Sequence, residues 1–84
     1  MKLPFHQKLM LLRKNKSLSQ RELANRIGLG IANITRYENG RIPTADILLK
    51  LSNFFGVSID YLLKDEMDLD NDFNVIFEKI VTAS

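Results

Sequence analysis

Apolar residues recur at helical spacing along most of this chain. Phe5, Leu9 and Leu12 fall at i, i+4 and i+7, one face of a helix running from about Pro4 to Lys16. Pro4 suits the first helical position, where its missing N–H costs nothing. Met10 and Leu11 lie off that face. Ser17 makes a turn, and Leu18 returns to the core. Ser19-Gln20-Arg21-Glu22 has the pattern of a capping box, and Leu23, Ala24 and Ile27 form the inward stripe of a second helix. Gly28 ends it, and Leu29 plugs the turn. A third helix begins near Gly30, turns Ile34 and Tyr37 inward, and stops at Asn39-Gly40.

Arg41-Ile42-Pro43 reads as a loop, with Ile42 extended because proline follows it. Thr44 is positioned to cap a fourth helix, which carries Leu48, Leu51, Ser52 and Phe55 on one face and ends at Gly56. Ser58 caps a short fifth helix, Ile59 to Leu63, in which Leu62 and Ile59 face the core. The result is an all-α bundle with short connections and no strand. Its second and third helices, joined by a tight Gly-containing turn, form a helix-turn-helix.

Beyond Lys64 the pattern changes. Residues 65–72 are acidic and almost free of core residues, and they read as a linker. Phe73, Ile76, Phe77 and Ile80 then recur at i, i+3, i+4 and i+7, an amphipathic C-terminal helix over 73–84. A lone helix of this length is marginal in water, so its stripe needs a surface to cover. A second copy, its own domain and a partner protein all remain open as that surface.

Composition adds little except through charge. The net charge is +2, but residues 1–64 carry 11 Lys/Arg against 4 Asp/Glu, while residues 65–84 carry 1 against 6. A basic body suits a polyanion, and an acidic tail belongs away from it. The chain has no cysteine, which excludes disulfides and thiolate metal sites. No apolar run reaches the roughly 20 residues that span a bilayer. These features predict a soluble, cytoplasmic protein without metal, cofactor or membrane partner. No nucleophile–base constellation is visible, so no enzyme is expected. Gly28-Leu29-Gly30 lacks the Lys-Ser/Thr of a phosphate cradle. The alternating acids of 65–72 resemble a calcium loop but lack its central Gly and final Glu.

LSQRELANRIGLG, then ITRYENG and a proline, closely resembles the helix-turn-helix domain of the Cro/lambda-repressor (XRE) family. The resemblance runs from Leu9 to Leu63 and rests on many spaced positions, among them Arg13, Gln20, Ala24, Ile34, Tyr37, Glu38, Gly40 and Pro43. It implies a five-helix lambda-repressor-like DNA-binding bundle in residues 1–64. It also implies a transcriptional regulator, a repressor, that binds double-stranded DNA as a homodimer on a palindromic operator. The competing reading is an antitoxin or adaptor whose acidic, apolar tail binds a partner protein.

Carried over position by position, the base-reading residues are Ile31, Ala32, Asn33 and Arg36 on the outer face of the third helix. Arg pairs with guanine and Asn with adenine, whereas Ile31 and Ala32 can touch only apolar edges such as thymine methyls. Many relatives carry long polar residues at those two positions and Ser or Thr at Gly30. Direct readout therefore rests mainly on Arg36, with DNA shape supplying more. Gln20, at a helix start, is expected to meet a phosphate, as the family uses it. Thr35, Asn39 and Arg41 are further backbone-contact candidates. The resemblance also implies a partly buried ion pair between Arg13 and Glu38. Plain surface exposure is the alternative for the polar residues, except Asn39, for which it is a simple turn.

Overall fold

The computed structural model describes residues 3–64. They form five helices: α1 Phe5–Asn15, α2 Gln20–Ile27, α3 Ile31–Glu38, α4 Ala45–Phe55 and α5 Ile59–Leu63. The stripes predicted from spacing meet in one core. Phe5, Leu9, Leu23, Ile34, Leu51 and Leu62 are fully buried, one or two from each helix. Burying a side chain of this kind contributes about 1.5–3 kcal/mol. Leu12, Leu29, Phe54, Phe55, Val57, Ile59 and Leu63 pack around them, half-buried. The tail stripe Phe73, Ile76, Phe77 and Ile80 lies outside the described residues.

The ends of the helices follow from local chemistry. Ser19 Oγ accepts the Glu22 N–H, and the Glu22 carboxylate accepts the Ser19 N–H, both at 3.0 Å. This capping box satisfies two donors that a helix start leaves free. At the other end of α2, Gly28 is left-handed (φ +73°), which lets the Leu29 N–H reach back to the Ala24 carbonyl at 2.8 Å. Ser17 closes α1 in the same way. It holds φ +56° while the Leu18 N–H bonds the Arg13 carbonyl at 3.1 Å. A side chain in that conformation carries backbone strain.

Two local expectations shift, and one charged side chain is buried. Pro4 is the N-cap of α1, with ψ 163°, rather than its first helical residue. Its fixed φ suits either position, and its carbonyl takes the first helical bond. Thr44 is the N-cap of α4 by backbone, but its hydroxyl donates to the Asp46 carboxylate and caps nothing. Lys8, one turn beyond Phe5 on the apolar stripe, is only 2% exposed. Its ammonium donates to the Tyr61 carbonyl at 2.6 Å and lies 5.0 Å from the centre of the Tyr61 ring. The charge thus sits at the end of α5, where carbonyls lack helical partners.

Candidate nucleic-acid interface

α2 and α3 pack on each other, and α3 also packs on α1. Ile34, Tyr37 and Glu38 form the inner side of α3, and each is buried. That leaves the opposite side to solvent. Ile31 is 39% exposed, Ala32 and Arg36 are exposed, and Asn33 and Thr35 are half-buried. The major groove of B-DNA admits an α-helix, and this exposed edge is the part of α3 that such a groove could meet.

The loop after α3 extends this edge. The Arg41 N–H bonds the Arg36 carbonyl at 3.1 Å, which ties the loop to the helix end. Asn33, Arg36 and Arg41 then line one notch of about 190 Å³, together with Tyr37, Ile42, Pro43 and Thr44. Two expected base readers and one expected backbone clamp therefore share one surface. Both arginines are exposed, so the notch offers guanidinium donors to an anion or a base edge. Ile42, 42% exposed, adds an apolar contact that spacing along the chain did not single out. Asn39 is exposed at the end of α3, and its main chain completes the helix-ending turn.

Behind this edge lies a polar network. Arg13 Nε donates to Glu38 Oε2 at 2.6 Å, and Nη2 donates to Oε1 at 2.9 Å. Nη1 donates to the Leu18 carbonyl at 2.8 Å. The hydrogen bond to the Glu38 carboxylate holds the Arg13 pKa above its ordinary value, against the opposing effect of burial. Gln20 Nε2 donates to Glu38 Oε1 at 3.1 Å. Thr35 Oγ1 lies 3.2 Å from Gln20 Oε1 and 3.1 Å from the Ile31 carbonyl, both acceptors. Gln20 is half-buried.

The network changes how two expected phosphate contacts can act. Gln20 keeps one amide N–H beyond the bond to Glu38. Thr35 has a single hydroxyl proton, and it is committed to protein acceptors. The links Gln20–Glu38 and Thr35–Gln20 span 18 and 15 residues of sequence, so no local pattern announces them.

Two helices crossing at a tight turn, the second with its outer edge polar and cationic, define a helix-turn-helix protein. A helix-turn-helix family model matches residues 9–62. The chain belongs to that family, in its Cro/lambda-repressor (XRE) branch. It is 40% identical over 73 residues to the HTH-type transcriptional regulator ImmR of Bacillus subtilis (strain 168), covering 84% of this chain and 58% of ImmR. The chain thus spans little more than half of that relative. Its fold matches the P22 c2 repressor, solved in complex with a synthetic operator, with a TM-score of 0.70 at 28% identity. That match covers 75% of this chain and 97% of the repressor chain. The complex of the SinR and SinI proteins is similar with a TM-score of 0.67 at 25% identity, covering 95% of this chain and 81% of the matched one. Among the described residues, no helix is long and apolar enough to cross a membrane.

Proposed function

We propose that this chain is a sequence-specific, double-stranded DNA-binding transcriptional regulator, a repressor, and not an enzyme. It acts in the cytoplasm, where its DNA is. The observation that carries this reading is the outer edge of α3, where Arg36 and Asn33 share a notch with Arg41 while Ile34 and Tyr37 anchor the other side. The likeness to a repressor solved on operator DNA supports it.

In this reading α3 enters the major groove. Arg36 pairs with guanine O6 and N7, and Asn33 reads an adjacent base. Ile31 and Ala32 lie against thymine methyls, so the sequence preference at that end is for apolar edges and not for hydrogen bonds. Gln20, Asn39 and Arg41 hold the flanking phosphates and fix the register. One domain makes few contacts, so the protein binds as a homodimer on two half-sites about one helical turn apart. Residues 73–84 supply the dimer interface through Phe73, Ile76, Phe77 and Ile80, and 65–72 link it to the domain.

A second reading assigns those same apolar residues to a partner protein, as in an antitoxin or adaptor. The similarity to a chain solved in the SinR/SinI protein complex favours keeping it. Selection of bound duplexes from a randomised pool by the full chain tests the main reading. Enrichment of two inverted half-sites is expected. A pool that stays random after repeated rounds contradicts it.

A further inference from the structure

Donor and acceptor types fix which way round the Gln20 amide sits. A carboxylate only accepts, so the nitrogen must face Glu38, at 3.1 Å. The amide oxygen then faces the Thr35 hydroxyl, at 3.2 Å. Glu38 cannot drift, because it is 5% exposed and both its oxygens are held by Arg13. The planar amide is therefore held at both ends, at its nitrogen by Glu38 and at its oxygen by Thr35, which leaves its second N–H beyond the bond to Glu38.

We infer that Thr35 is a positioning residue. Its hydroxyl locks the Gln20 amide so that the free N–H is aimed at a DNA phosphate, and Thr35 itself does not touch the DNA. This rests on the reading of Gln20 as a phosphate contact. A phosphate accepts hydrogen bonds and does not donate them, so Thr35 could meet one directly only by abandoning Gln20 and the Ile31 carbonyl. A donor held in its binding geometry loses less freedom on association than a loose one. The link also ties a residue on the reading face of α3 to the start of α2, so the groove-facing and backbone-facing parts keep one relative register.

The test is a double-mutant cycle on the full chain, read by fluorescence anisotropy with a labelled duplex of about 24 base pairs, just over two helical turns. A duplex of arbitrary sequence suffices, because phosphate contacts are independent of sequence. Gln20→Ala is expected to weaken binding about tenfold and Thr35→Val about threefold, with Thr35→Ser close to the parent. In the Gln20→Ala background, Thr35→Val should cost nothing further. Neither change should alter the salt dependence, since a neutral amide displaces few counterions, whereas Arg41→Ala lowers that slope by about 0.9. The side-chain NH₂ of Gln20 should gain mobility in ¹⁵N relaxation of Thr35→Val and not of Thr35→Ser. An equal loss from Thr35→Val in both backgrounds overturns the inference. So does parental binding by Thr35→Val where Gln20→Ala is weakened, and that result leaves the phosphate contact standing. If Gln20→Ala itself binds like the parent, the phosphate contact fails and the inference falls with it.

Discussion

Arg13 and Glu38 join the ends of α1 and α3 through two parallel hydrogen bonds, at 2.6 and 2.9 Å. Their side chains are 11% and 3% exposed, so little water competes. Breaking one side of such a pair leaves a charge stranded, at a cost of about 3–5 kcal/mol. Glu38→Ala would also free the Gln20 amide. Glu22→Ala removes only half of an exposed capping box and strands no buried charge. Thermal unfolding should therefore show a far larger drop in Tm for Glu38→Ala than for Glu22→Ala. Equal drops would refute the pairing as a structural element.

The capping box carries a pH signature. The Ser19 N–H, bonded to the Glu22 carboxylate, lowers the Glu22 pKa from its usual 4.5, with the Ser19 hydroxyl assisting. A carboxylate with a lowered folded pKa stabilises the fold above its unfolded value. That contribution disappears as pH falls through the folded value. Glu22→Gln keeps an acceptor for the Ser19 N–H but cannot ionise. The stability difference between the parent and Glu22→Gln should be steady above pH 4.5 and shrink below it. Urea titrations at successive pH values would show this. A difference that grows on acidification contradicts the assignment.

Ser17 holds a left-handed backbone that disfavours any side chain. The strain is about 1–2 kcal/mol, offset in part by the extra unfolded freedom of glycine, about 0.5–1 kcal/mol. Ser17→Gly should therefore stabilise the protein, by up to about 1 kcal/mol or 4–8 °C in Tm. Gly28→Ala should do the reverse. A Cβ there meets no atom within 4 Å, so the effect is backbone strain at φ +73° less the freedom that alanine removes from the unfolded chain.

The apolar stripe of the tail predicts self-association. Sedimentation equilibrium of the full chain should give a dimer. Replacing Phe73 and Phe77 together by Ser should give a monomer that still melts cooperatively. A dimer that survives both substitutions would place the interface elsewhere, and a monomeric parent would favour the partner-protein reading.

Much of this architecture is legible in the sequence because it is set locally. Ser19 and Glu22 cap α2 across three residues, Gly28 and Gly56 close helices at positive φ, and the Phe5–Leu9 and Leu23–Ile27 stripes follow from helical period. What escaped is tertiary. Lys8 sits on the apolar stripe of α1, but charge alone marks it for solvent. Its burial depends on a carbonyl 53 residues away that only the folded chain delivers. Thr44 has the right chemistry for a cap, yet Asp46, two residues on, takes its hydroxyl.

The site divides along the same line. The outer face of α3 follows from which residues point inward, so Ile31, Ala32, Asn33 and Arg36 could be placed from spacing and family resemblance together. The fate of Gln20 and Thr35 could not. Their hydrogen-bonding capacity is shared with Glu38 across two helices. Ile42 joins the cationic notch only because the Arg41 N–H folds the loop back onto Arg36.

Sequence-specific binding by this chain depends on Arg36 reading a base from the outer edge of α3. The measurement that tests it most directly is the base preference of Arg36→Ala beside the parent chain, by duplex selection followed by titration of single-base variants. A loss of about 1–3 kcal/mol of discrimination is expected at one base pair per half-site, with the other positions intact. Unchanged preference at every position would contradict it.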